Sequence, residues 1–245
     1  MRLFTGALLI AVSAAIAVAA PVEVVLQNGL DGYNGTQDTY LFSGNSTNYG
    51  TSSSCYITPG PDRRALLKFD LSHLPEGAKA SSGASVTILS RTSSDATPTI
   101  TVSMHMMTGA SANWSQTACS WEYLNNADQT PWVGGAGLTA GVDYETNAIS
   151  SVTAAFGKGW ARTFQFSQED MQRAIDAGFL SVVFMTDYSD MSMYFRSTEY
   201  GTAEQRPKLT FSYDVIPEPA TLGSVLIGSV AVLFRRVRRT SKAKA

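Results

Sequence analysis

The sequence predicts an all-β chain: an antiparallel, jelly-roll-like β-sandwich with one short helix at about 167–177. Three observations predict it. Apolar residues recur with a period of two in several stretches, turn-forming residues separate those stretches, and one segment alone carries helix start and stop signals. Many strands joined by turns, without alternating helices, indicate a sandwich or barrel rather than an α/β fold.

The chain opens on Met1-Arg2, a short positive start, followed by an apolar run from Leu3 to Val18. Ala17-Val18-Ala19 has the small-x-small form that signal peptidase cuts after, so 1–19 is expected to be a signal peptide and the mature chain to begin at Ala20. An uncleaved anchor is the alternative. Residues 20–37 lead into the body, which runs from 38 to 214.

Strand signals follow one another along the body. Arg64 to Leu71 places Ala65, Leu67, Phe69 and Leu71 on one face. Ser85 to Leu89 alternates, and Ile100 to Met106 aligns Ile100, Val102, Met104 and Met106. Leu180 to Thr186 is more continuously apolar and reads as a central strand. Tyr194 and Arg196 share a face opposite Met193 and Phe195, and Lys208 to Val215 turns Leu209, Phe211, Tyr213 and Val215 inward. Turn-rich stretches lie at 28–35, 43–54, 59–62 and 134–141. The helix is marked by Ser167-Gln168-Glu169-Asp170, a capping box, by Met171 and Ile175 on one face, and by Gly178 as the stop.

The end of the chain has a different character. Pro217-Glu218-Pro219 precedes an apolar run from 220 to 234 and a basic tail, 235–245, with Arg235, Arg236, Arg238, Arg239, Lys242 and Lys244. The prolines keep the segment extended, as a protease requires. The apolar run would reach roughly 22 Å as a helix, short of the ~30 Å hydrocarbon core, so it suits a weak membrane span that is held and then cut. The basic tail is expected on the cytoplasmic side. Residues 215–245 together resemble the PEP-CTERM sorting signal of Gram-negative bacteria. That resemblance implies an exosortase-type membrane protease as partner, an inner-membrane-anchored precursor, and a final place in the cell envelope or extracellular matrix.

Charge narrows the partners. Without its two ends the body holds 11 basic and 19 acidic residues, a net of −8, which argues against nucleic acid. Cys55 and Cys119 would enter an oxidising compartment. A disulfide between them would close a loop worth roughly 4 kcal/mol in the chain-entropy account; two buried free thiols are the alternative.

Several body segments together resemble the DNRLRE domain, a disaggregatase-related family classed among carbohydrate-binding modules. They are Asp38-Thr39-Tyr40, Asn48-Tyr49-Gly50, the run Arg64 to Ser72, Leu74 to Ala78, Trp114 and Trp121, Phe195 to Glu199, and Arg206 to Tyr213. The match covers about 38–214. The resemblance implies a jelly-roll sandwich that binds extracellular polysaccharide, including acidic types such as alginate, and it implies no catalytic residues.

An acidic body needs a local basic patch or bridging Ca²⁺ to hold an acidic polysaccharide. Arg63, Arg64, Lys68, Arg91, Arg196, Arg206 and Lys208 are the basic residues available. Among aromatic platforms, Trp114 and Trp121 are expected to be core or loop anchors. Trp132, beside Pro131 and a glycine-rich loop, is the expected exposed ring. The carbohydrate-binding candidates are therefore Trp132, Tyr194, Arg196, Arg64 and Lys68.

Catalysis has weaker support. His73 and His105 are the only histidines, no G-x-S-x-G elbow frames a nucleophile, and pairs drawn from so many acids are not specific. Asp187 and Asp190 beside Tyr188 could ligate Ca²⁺, but no D-x-D-x-D-G loop accompanies them. A structural matrix or adhesion protein without specific glycan binding is the alternative function, and a polysaccharide lyase or hydrolase the third.

Overall fold

The structure is a computed structural model that describes residues 20–58, 62–92, 99–155, 157, 159–186 and 193–215. The expected leader at 1–19, the Pro217-Glu218-Pro219 element with the apolar run after it, and Asp187, Tyr188 and Asp190 lie outside the described residues.

The described chain forms β1 (Val22–Gln27), β2 (Thr36–Phe42), β3 (Ser54–Ile57), β4 (Arg63–Asp70), β5 (Ala78–Ala80), β6 (Ala84–Thr92) and β7 (Thr99–Met106). After these come β8 (Tyr123–Asn125), β9 (Thr130–Pro131), β10 (Ser150–Ala155), β11 (Trp160–Phe166), helix α1 (Gln168–Ala177), β12 (Phe179–Thr186), β13 (Met193–Arg196) and β14 (Lys208–Val215). The expected alternation survives in β14 for Leu209, Phe211 and Tyr213, which are buried between half-buried neighbours, while Val215, expected to face inward, is exposed at the strand end. The expected central strand is β12, which lies between β7 and β4.

In the first sheet β6 is the axis. β11 pairs with one side of it; β14 and then β13 pair with the other, end to end. β1 lies beyond β14, and β3 beyond β13. The second sheet has the order β10-β7-β12-β4-β2. Setting aside β2, β3 and β13 and the short β5, β8 and β9, eight strands remain. Counted along the chain they lie as 1-8-3-6 and 2-7-4-5, the interleaved order of a jelly roll.

The core lies between the sheets. Ala65, Leu67 and Phe69 of β4 and Val182 and Phe184 of β12 meet Val86, Ile88, Phe164, Phe195 and Leu209 of the first sheet. Phe184 stands between Phe164 and Phe195, with ring centroids 5.1 and 5.6 Å away in edge contacts. Helix α1 adds buried Met171 and Ala174 to this core. Ser167 caps it as expected by accepting from the Asp170 N–H, and Gly178 ends it at φ 77, a left-handed value glycine adopts at little cost. The Asp170 carboxylate accepts from the Ser167 hydroxyl at 2.7 Å, rather than reaching a backbone N–H.

One expected covalent feature is corrected. Cys55 and Cys119 are free and buried. Cys55 belongs to the core between the sheets and Cys119 to a second cluster on the outer face of the second sheet. The β2–β4 side of that sheet separates the two environments, so no disulfide joins them. Burial pushes the Cys55 thiol well above its ordinary value and the Cys119 thiol up to about 12, so both are inert thiols in the folded protein.

Candidate functional site

The two outer faces of the sandwich have different fates. The segment from Met107 to Tyr144 folds over the second sheet and forms its own apolar cluster there. In it Trp114, Trp121, Trp132 and Leu138 pack on Leu41, Leu66 and Val183. The polar edges of the rings are satisfied inside: Trp114 Nε1–H donates to Ser181 Oγ at 2.9 Å, and Trp132 Nε1–H to the Ser120 carbonyl at 2.8 Å. Gly137 makes the fit possible. A Cβ there would lie 2.1 Å from the Trp121 ring, and its φ is +81.

Among the described residues the first sheet has no such cover. On its outward side β6 presents Ser85, Thr87 and Leu89, flanked by Thr163 and Gln165 of β11 and by Lys208, Thr210 and Ser212 of β14. All of these are half-buried or exposed. Farther along the same face β13 presents Tyr194 and Arg196, and β3 presents Tyr56 and Ser54.

Aromatic rings and cations converge at that end. Tyr56 and Tyr194 are cross-strand partners with centroids 4.9 Å apart. Tyr40, on the edge strand β2 of the other sheet, meets Tyr56 edge-on at 5.1 Å and stacks on Tyr49 at 4.3 Å. Four tyrosines thus continue one another around the edge of the sandwich. The Arg63 guanidinium lies 4.5 Å from the Phe42 ring centre and 5.1 Å from that of Tyr56; that of Arg196 lies 4.3 Å from the Tyr200 ring centre. Among the described residues neither arginine enters an ion pair. Burial, and then the neighbouring Tyr49, push the Tyr40 phenol up to about 12, so it stays a neutral hydroxyl.

A buried polar brace holds this end together. The Asp38 carboxylate accepts from the Thr198 N–H at 2.7 Å and from the Cys55 thiol at 3.5 Å. Gln116 bridges the Gly50 carbonyl and Glu199, and its Oε1 accepts from the Asp38 N–H. Gly50 is required here, because a Cβ would lie 2.0 Å from the Gln116 carbonyl oxygen. The brace thereby fixes residues 197–200, which carry Tyr200 under Arg196.

Burial, and then the charge of Glu199, raise the Asp38 carboxyl to about 8. In the unfolded chain it would ionise near pH 4. Between those values the folded state keeps a proton that the unfolded chain has lost, so stability falls as pH rises from about 4 to 8. The thermal midpoint is therefore expected to drop across this window. Asp38→Asn, which still accepts from Thr198, should flatten the decline. Melting curves from pH 5 to 9 check this; an unchanged slope in the variant would assign the effect to another group.

The structure divides the residues expected from sequence. Tyr194 and Arg196 lie together on the open face. Trp132 is corrected: it is 1 % exposed, buried in the apolar cluster on the second sheet with its Nε1–H donating to the Ser120 carbonyl, while Asp143 ties the following loop together by accepting from the Gly134 and Thr139 N–H groups. Arg64 and Lys68 are corrected as well. They point to the covered face of the second sheet, where Arg64 donates to the Gly137 and Leu138 carbonyls and Lys68 to the Trp114 carbonyl. Arg206 ties a turn to the Asn28 and Tyr200 carbonyls, while the Arg91 side chain lies outside the described residues.

Sequence reasoning did not single out Tyr40, Tyr49, Tyr56 and Phe42. Tyr40 and Tyr49 stand inside Asp38-Thr39-Tyr40 and Asn48-Tyr49-Gly50, which was their one signal. Trp160 is the tryptophan left exposed, at 44 %. It lies on β11 beside Arg162 and opposite Ser90, whose partner on the other side is Phe195. His105 is held by the Glu145 carbonyl and Ser103 Oγ at 2.9 and 3.0 Å. Among the described residues no group of three or more His, Cys, Asp or Glu converges as a metal site. Among them too, no helix is long and apolar enough to cross a membrane.

Residues 31–137 match the family model of carbohydrate-binding module family 96. The matched stretch is less than half of the 245-residue chain. It includes Tyr40, Tyr49, Tyr56 and Arg63, stops short of Tyr194 and Arg196, and supports a carbohydrate-binding domain. No curated protein matches the chain.

Proposed function

We propose that this chain is an exported, non-catalytic protein that binds extracellular polysaccharide through the open face of its first sheet. One observation carries the reading. The Tyr56–Tyr194 pair sits on the outer face of the first sheet, with Arg63 and Arg196 stacked on neighbouring rings and, among the described residues, in no ion pair. Ring faces suit the apolar faces of pyranoses, and a guanidinium donates to hydroxyls or to a uronate carboxylate. The match to a carbohydrate-binding module family supports the same reading.

The ends of the sequence supply the address. Signal peptidase would release residue 20 onward. The apolar run at 220–234 would hold the precursor in the inner membrane, and an exosortase-type protease would process it near Pro217-Glu218-Pro219. The product would remain in the cell envelope or extracellular matrix. Mature-terminus mass spectrometry reports on this route: an intact basic tail would sink the processing step.

The binding test uses the full-length chain in detergent against a panel of neutral and acidic polysaccharides, with Ca²⁺ and with chelator. Saturable binding to at least one is expected. A folded protein that binds none would favour a structural matrix role.

A further inference from the structure

The tyrosine end is one part of a longer face. From Ser85 to Arg91 the axial strand β6 runs seven residues, six steps or about 20 Å at the ~3.4 Å rise of a strand. Arg196 follows Tyr194 and lies toward Leu89, since Phe195 pairs with Ser90. Next along β6 come Thr87, with Lys208 on one side and Thr163 on the other, and then Ser85 between Thr210 and Gln165. At the far end the face dips into a hollow of about 390 Å³ that includes Ser85, Gln165, Thr210 and Ser212.

The lining of this hollow carries short hydroxyls, the Gln165 amide and the Glu23 carboxylate, with Phe166 and Phe211 among its walls. Ser212 Oγ accepts from Ser81 Oγ at 2.8 Å and lies 2.8 Å from Ser82 Oγ. Thr87 and Thr163 hydroxyls share a hydrogen bond at 3.0 Å. Such a surface offers hydroxyl and amide donors and acceptors, with one carboxylate, Glu23, among them. It matches the hydroxyl rim of a sugar chain better than an apolar protein surface.

We infer that the polysaccharide lies parallel to β6 and is read as an internal stretch of about four sugar residues. The tyrosines and Arg196 hold one end of the stretch; Gln165, Thr210 and Ser85 hydrogen-bond the other. The length follows from size: a pyranose with its linking oxygen spans roughly 5 Å along an extended 1,4-linked chain, so the ~20 Å of strand takes about four. This inference rests on the carbohydrate reading above and adds to it the direction, the length and the second set of contacts.

The test uses the full-length chain and two ladders of defined oligosaccharides, from two to eight residues: β-1,4-linked mannuronate and neutral β-1,4-glucan. For the ladder that binds, affinity should rise steeply up to about four residues and then level off. The paired substitution Gln165→Ala with Thr210→Val should lower affinity for the hexasaccharide about tenfold and leave that for the disaccharide within twofold. Melting curves confirm that the pair folds. Affinity independent of length, with the pair silent and Tyr194→Ala defective, would overturn the extended site and leave the tyrosine end standing. Absence of binding by every oligosaccharide would overturn both.

Discussion

Tyr194→Ala weakens polysaccharide binding by tenfold or more and leaves the fold intact. The ring is half-buried on the outer face, so truncation removes contact area for ligand without opening the core, whose members on the same strand are Met193 and Phe195. Arg63→Gln and Arg196→Gln should each cost about 1.5–3 kcal/mol if they donate to an ionised group, or roughly ten- to a hundredfold in affinity. The opposite pattern is expected at Arg64→Gln and Lys68→Gln. Those side chains hold the covering segment through carbonyls, so their loss lowers stability and leaves the affinity of the folded fraction unchanged. Isothermal titration with a melting curve on each variant separates the two groups. Full affinity in Tyr194→Ala and both open-face arginine variants would remove this face from consideration.

The largest stability effect is expected at Phe184→Ala. This ring is fully buried at the centre of the second sheet and touches Phe164 and Phe195, both from the first. Removing it empties the seam between the sheets at a point where rigid strands on both sides prevent collapse. Truncations of this kind cost about 3–5 kcal/mol. Whole domains are stable by only about 5–15 kcal/mol, so the variant loses much of its margin. Urea unfolding followed by tryptophan fluorescence measures the change in midpoint. A loss below about 1 kcal/mol would mean that the two sheets repack around the gap. Val25→Ala, on the exposed outer side of β1, should change the midpoint little.

Much of the sandwich was legible in one-dimensional pattern. Strand alternation reports which side chains of one strand point the same way, and this is a local, steric property of the pleat. It therefore identified Leu209, Phe211 and Tyr213 of β14, the apolar face of β4, and the pairing of Tyr194 with Arg196 opposite Met193 and Phe195. Helix α1 was legible for the same reason, since its cap and stop are made by neighbours in sequence. The open tyrosine cluster was not. Tyr40 and Tyr56 come from strands on different sheets, and their contact depends on how two sheet edges meet.

What the sequence by itself determined is the all-β class, the faces of most strands, the one helix and the acidic character of the body. Each of these follows from short-range sterics, from the hydrophobic period, or from counting charges. The tertiary structure alone decided which outer face stays open. Arg64, Lys68 and Arg196 have similar local patterns, yet the first two lie under a segment that arrives from more than forty residues away, and the third does not. Trp132 lies within that segment and is buried where it packs on the second sheet, and Cys55 and Cys119 were kept apart by a sheet between them. Burial is set by what packs on a face from elsewhere in the chain, and no local period carries that information.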